Sequence, residues 1–425
     1  MVAVRGVKTA QKKGGLQMEG KKGIRLSVCL GLSIGIYVLI VVLTGASLFA
    51  AEKAPIKVGI LVPYTGIAPL QAKGVSDGVE FAIAEVGQKA GGRAIQVVKE
   101  DDEFNPTVGL TKVRRLIEEQ KVNFIVGPVS SAVALAMYDY VIKNRVVWII
   151  PCAFTRELTA PDKANEKMFR TVETTDQANY PMGKWIMKNT PARNIALIGQ
   201  DYKAGHDSLD AFKAGFQDAG GKIVKEVYTA LNTMDYASFL TAIDIKGVDA
   251  VYPWYSGTDA VRFVQQYQEF GLKKRIPLYS QVTIVDDPYL SSMGDAAIGI
   301  IASTHYPVNA DTPQNRSFVK AYSAKWGDHP SRYSEYGYTA GKMIVATIEA
   351  LKGEVADSSR VAKEMKAVSS KIETPSGPLA FDQYNQRTVN MYVVKTEKRD
   401  GKLVNVVTDQ LGKVAQADVW KWWNK

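Results

Sequence analysis

Short apolar runs closed by glycine or proline alternate with longer segments whose apolar positions recur every three or four residues, and this alternation governs most of the chain. The clearest example is VNFIVGPVSSAVALAMYDYVIKNRVVWIIPCAFTRELT, residues 122–159. Its apolar runs at 124–126 and 146–150 are too short for buried helices and predict parallel strands covered on both faces. One helix fits between them. Ser130 and Ser131 stand at its start, where their hydroxyls and the first-turn amides form an anion site at the carboxyl edge of a sheet. A small carboxylate fits such a site.

The same grammar runs upstream and downstream. KVGILVPYTG predicts a strand, residues 74–87 a helix, 94–99 a second strand and 106–120 a second helix, with the acidic turn 100–103 between the last two. That turn is expected to be solvated. After 169–172 the alternation restarts: helix 180–188, strand 194–198, helix 208–219, strand 222–228, helix 236–245, strand 250–254, helix 258–270 and strand 277–280. Helices follow at 314–326, 333–351 and 359–367, and the end reads as strands at 380–395 and 403–407. Two alternating units of this kind predict an α/β chain built from two doubly wound layers with parallel sheets.

The formal net charge of +10 changes meaning when divided along the chain. Residues 1–25 hold seven Lys or Arg against Glu19 alone, a local +6, so the rest is about +4, which gives no footprint for nucleic acid. The uncharged apolar segment 26–51 follows, ending in Ala46, Ser47, Ala50 and Ala51. A basic start, an apolar stretch and small residues at its end predict a secretory signal, with a retained membrane anchor as the alternative. Export then leaves Cys152 without an intramolecular partner, since the only other cysteine is Cys29. Cys152 is expected to line a turn as a small buried residue.

Tests for reaction chemistry find little. His206, His305 and His329 are the only histidines, and none has a second ligand at metal spacing. No phosphate loop or dinucleotide fingerprint follows a predicted strand, and the one G-x-S-x-G lies in the apolar segment at 31–35. No enzyme, cofactor or metal is expected. Tyr64, Tyr202, Trp254, Tyr255 and Tyr306 fall at predicted strand ends or crossover loops, where each is more often a core or rim residue than a ligand contact, with Tyr202 and Trp254 the favoured contacts.

KVGILVPYTG, EDDEFNP, VGPVSS, PCAFTRELT, FRT, IALIGQDYKAG, GDAAIG and GPLAFD, in that order, carry a resemblance over residues 55–410. The chain resembles the branched-chain amino-acid-binding family of periplasmic solute receptors, the type I binding proteins of ABC importers. The resemblance implies two α/β lobes joined by three crossovers, lobe 1 at 55–172 and 305–380, lobe 2 at 173–304 and 381–425, closing by a hinge on a ligand held between them. In that family a Ser and an Ala–Thr pair hold the ligand carboxylate; Ser131 and Ala153 match, and Phe154 stands in the Thr position. A Glu from the second lobe pairs the ammonium group, and here Val282 or Thr283 occupies its place, with Asp286 and Asp287 a few residues on. Members with a disulfide have cysteines where this chain has Phe104 and Ser130.

These departures predict a carboxylate ligand with an aromatic or apolar body, because a buried ammonium without an anionic partner costs several kcal/mol. The expected ligand residues are Ser130, Ser131, Ala153, Phe154, Tyr64, Tyr202, Trp254 and Thr283. The implied partners are a small molecule and an ABC permease, for an extracytoplasmic monomer. A branched-chain amino-acid receptor of the same family and a membrane-anchored sensor domain are the alternatives.

Overall fold

The computed structural model describes residues 53–243 and 246–420; the expected signal or anchor and Trp422 and Trp423 lie outside them. The apolar runs form the two sheets. In the first, β1 (Ile56–Val62), β2 (Lys89–Ala90), β3 (Arg93–Asp101), β4 (Phe124–Val126), β5 (Val147–Ile150) and β6 (Met168–Arg170) lie in the order β2-β3-β1-β4-β5-β6. Only the β2–β3 hairpin is antiparallel. β1, β4 and β5 are buried almost throughout because helices cover both faces, which is why they read as apolar runs broken only by the half-buried Lys57 in β1.

The second sheet is built from β7 (Asn194–Gln200), β8 (Lys222–Thr229) and β9 (Ala250–Trp254), in the order β8-β7-β9 and parallel. A parallel bridge from Val251 to Leu278 continues it into β10 (Tyr279–Gln281) and β11 (Ile301–Thr304). Past the short hairpin of β12 (Glu373–Thr374) and β13 (Gly377–Pro378), the antiparallel strands β14 (Val389–Arg399) and β15 (Lys402–Val414) complete it. Two Rossmann-like lobes result, and from Ala54 onward they belong to one compact unit.

Capping chemistry moves several helix starts from their expected positions. Helix α1 (Pro69–Glu85) begins five residues early on a proline whose fixed φ suits the first turn. Helix α2 (Pro106–Glu118) is capped by Asn105, which accepts from the amides of Thr107 and Val108. Helices α3 (Ser131–Lys143) and α4 (Thr175–Asn189) follow; α4 starts at a Thr174–Gln177 capping box, ahead of the expected 180. Next come α5 (Lys203–Asp218), α6 (Gly257–Glu269), α7 (Pro313–Trp326), α8 (Arg332–Ala350) and α9 (Ser358–Ser369). The helix expected at 236–245 is one short turn, Ala237–Thr241.

The acidic turn differs from the solvated loop expected. Glu100 is buried and paired with Lys112 and Arg115, and Asp102 is fully buried. Residues 380–388 form a connection instead of the start of a strand: Arg170 donates its amide to the Asn385 carbonyl, and Arg387 donates to that of Arg170. The Trp420 ring packs on Tyr384 at 4.9 Å.

Each lobe is clamped by a helix pair whose backbones touch. A Cβ on Gly337 of α8 would lie 2.0 Å from the Val75 carbonyl oxygen of α1, and one on Gly215 of α5 2.0 Å from that of Tyr180 in α4. No rotamer relieves a clash with backbone. Gly337→Ala is therefore expected to destabilise the protein by about 3 kcal/mol through forced helix separation, read as a lower urea midpoint at unchanged slope.

Candidate functional site

The carboxyl ends of the two sheets meet. Loops after β1, β3, β4 and β5 approach loops after β7, β9 and β10, and specific contacts join them. The Thr258 amide reaches the Ile67 carbonyl at 3.4 Å, the Tyr289 hydroxyl donates to Gln71 Oε1 at 2.7 Å, and the Phe104 and Tyr202 rings lie 6.0 Å apart. Thr155 donates its hydroxyl to Asp207 Oδ2 at 2.5 Å. Beside it, Arg156 bridges Asp176, Asp207 and Asp210, and Lys203 pairs with both Glu157 and Asp207.

The predicted anion end is assembled from two stitched loops. Ser130 Oγ caps α3 by accepting from the Val133 amide at 3.4 Å, and Ser131 Oγ accepts from the Thr155 amide at 3.1 Å. The hydroxyl proton of Ser131 remains available to a second acceptor. Ala153 adopts a left-handed φ of 55°, gives its amide to the Val129 carbonyl at 2.9 Å and takes Arg170 Nη2 on its own carbonyl at 3.0 Å. That turn holds Cys152 fully buried in the first-lobe core, and burial pushes its thiol well above the ordinary value.

Buried hydroxyls without a hydrogen-bond partner among the described residues include Thr283 Oγ1, Ser303 Oγ and Thr175 Oγ1. Thr283 lies in the turn after β10, and Ser303 is in register with Gln281. Thr175 donates its amide to the Phe154 carbonyl at 2.8 Å. Thr283 was expected at the site; Thr175 and Ser303 were not, because an isolated hydroxyl carries no sequence signal.

Of the five aromatics noted at strand ends or crossover loops, the structure brings Tyr202 and Trp254 together, with ring centroids 5.7 Å apart. Trp254 Nε1 donates to Gln281 Oε1 at 2.9 Å, which fixes the indole against β10. Phe104 adds a third ring from the other lobe. Tyr64 instead donates to Ser76 of α1 at 2.9 Å, Tyr255 stacks on Phe263 within the second core, and Tyr306 donates to Asn315 at 2.5 Å in the first.

The ring of Phe154 packs in the first-lobe core and under the Arg332 guanidinium, 5.5 Å from its centroid. Arg332 opens α8 and forms two hydrogen bonds to Asp286, Nε to Oδ1 at 2.5 Å and Nη2 to Oδ2 at 3.2 Å. Tyr333 donates to the same carboxylate at 2.6 Å. Next to this pair, Glu173 in the first crossover engages His305 Nδ1, Tyr336 and Gln281. Burial acts to raise the Glu173 carboxyl, but His305 and Arg332 outweigh it and hold it at about 2. Asp287, pushed up to about 7 by burial and by Asp286, accepts from Asn405 at 3.1 Å. Sequence reasoning missed Arg332, Glu173 and His305 as a group; the available signal was Arg332 at the head of an aromatic-rich helix. Among the described residues no three His, Cys, Asp or Glu side chains converge as a metal site.

The sequence model of the periplasmic binding protein family matches residues 55–402. A Leu/Ile/Val-binding protein homolog from Brucella melitensis is 28% identical over 83% of this chain and 90% of its own. An ABC transporter substrate-binding protein from Sphaerobacter thermophilus superposes with a TM-score of 0.78 at 32% identity, covering 84% of this chain and 98% of that one. A solute-binding protein of an ABC transporter from R. palustris, in complex with benzoate, superposes with a TM-score of 0.79 at 28% identity, covering 85% and 98%.

Burial pushes the Asp102 carboxyl up to about 7, with Oδ2 left unpartnered. The folded form then holds a proton that the unfolded chain releases above its ordinary 3.8, so stability falls as pH rises from there to about 7. Asp102→Asn removes that slope. It is expected to raise stability at pH 8 by on the order of 3 kcal/mol, measured by urea unfolding across a pH series.

Proposed function

We propose that this chain, which belongs to the periplasmic binding protein family, captures a small organic carboxylate with an aromatic or apolar body between its two lobes and presents it to the permease of an ABC importer. It is an ABC-type substrate-binding protein with an extracytoplasmic place of action. The Ser131 hydroxyl and the first-turn amides of α3 hold the carboxylate; charge-assisted bonds of this kind are the stronger ones. Tyr202 and Trp254, with Phe104 opposite, flank the body, and the Thr283 hydroxyl offers a further polar contact. The protein acts as a monomer, and closure of the lobes creates the surface the permease reads.

The observation that carries this reading is the engagement of the acids after β10. Asp286 is held on both oxygens by Arg332, with Tyr333 on Oδ2 as well, so its charge is already matched when a ligand arrives, and Asp287 accepts from Asn405 on Oδ1. The benzoate held by the R. palustris relative supports the same ligand class. The printed name of the Brucella relative supports the rival reading, a branched-chain amino-acid receptor.

Ligand-free protein, prepared by unfolding, dialysis and refolding, separates the two in a thermal-shift screen. Benzoate or a hydroxybenzoate is expected to raise Tm more than leucine does, because a ligand stabilises the state it binds; stabilisation by leucine alone contradicts the proposal. Ser131→Ala is expected to weaken carboxylate binding by about 1–3 kcal/mol in calorimetric titration, and unchanged affinity removes Ser131 from the site.

A further inference from the structure

An α-amino acid carries its ammonium two bonds from its carboxyl carbon, so a site for it needs a buried anion close to the carboxylate end. Two buried acids at the lobe junction already have partners. Glu173 is engaged by His305, Tyr336 and Gln281, with Arg332 Nη1 3.9 Å away, and Asp286 is paired with the same arginine from the opposite lobe. Arg332 and Asp286 are both fully buried, and their geometry is two-pronged. The guanidinium is also surrounded by rings: Tyr333 at 4.6 Å, Phe154 at 5.5 Å and Tyr336 at 5.9 Å from its carbon. Phe154 follows Ala153 directly, and the next residue, Thr155, donates its amide to Ser131. The loop's link to Ser131 and the ring that supports the cation thus sit on adjacent residues.

We infer that Arg332 is a specificity-determining residue, a built-in cation that takes the counter-ion place on Asp286 and so excludes ligands bearing an α-ammonium group. The inference rests on the reading of the lobe junction as a carboxylate site. It also gives Phe154 a role: the ring holds the guanidinium by a cation–π contact where a hydroxyl would leave it unsupported. An amino acid entering beside Arg332 would bring a second cation to an acid that is already neutralised, whereas a benzoate brings none.

The test compares leucine and benzoate dissociation constants by calorimetry for refolded wild type, Arg332→Met, and the double variant Arg332→Met/Asp286→Asn. Removing the guanidinium leaves Asp286 seeking a cation. The leucine-to-benzoate ratio of dissociation constants is expected to fall at least tenfold in Arg332→Met and to return towards wild type in the double variant. A purely structural role would weaken both ligands together and leave the ratio unmoved, which overturns the inference. Wild-type protein that binds no carboxylate overturns the site reading and this inference with it; wild-type preference for benzoate with an unmoved ratio in Arg332→Met overturns this inference alone. Should Arg332→Met fail to refold, Asp286→Asn examines the pair from the other side. Its guanidinium, freed of Asp286, is expected to raise the preference for benzoate over neutral benzamide at least fivefold, and an unchanged preference overturns the inference.

Discussion

Charge buried between two closing surfaces has to be matched, because desolvating an unpaired ion costs several kcal/mol and no nearby water makes up the loss. The junction of the two lobes is governed by that constraint. Arg332 meets Asp286, Glu173 meets His305, and Arg156 gathers Asp176 and Asp207; each group combines side chains from both lobes or from a crossover between them. The match holds only when the lobes are together. On the proposed reading, the same contacts that join the lobes also limit which charges a ligand can bring.

Closure and the anion end are linked through one residue. Thr155 gives its amide to Ser131 within the first lobe and its hydroxyl to Asp207 of the second. A ligand that orders the loop at 153–155 thereby favours the inter-lobe bond, the differential interaction that a shift between open and closed forms requires. The helix pairs packed backbone to backbone at Gly337 and Gly215 lie within the lobes, whereas Glu173 and His305 pair where the chain passes between them.

Much of the fold was legible in the sequence because buried parallel strands leave apolar runs, and β1, β4, β5, β7 and β9 all do so. Helix starts were less legible: α1 and α4 begin on a proline and a capping box that precede the apolar periodicity. For the proposed site, Ser131 stood out by its place at a helix start after a strand, and Ala153 only through the resemblance. Tyr255 and Tyr306 occupy similar positions but turn into the cores, and a side chain's direction at a strand end depends on packing that the chain's own pattern does not encode. Phe154 was visible as a departure, yet its meaning depends on Arg332, far along the chain on another element. A pairing between distant residues leaves no local periodicity. Asp102 was hidden for the opposite reason, a carboxyl within a run of acids that reads as solvated but is buried.

The central claim is that the lobe junction holds a carboxylate at Ser131 while Arg332 keeps Asp286 from any ligand. A crystal structure of refolded protein grown with benzoate tests it most directly. The account predicts the benzoate carboxylate within hydrogen-bond distance of Ser131 Oγ and the α3 amides, its ring beside Tyr202 and Trp254, and the Arg332–Asp286 pair intact. A benzoate bound elsewhere, or an amino acid seated with its ammonium on Asp286 and Arg332 displaced, would contradict it.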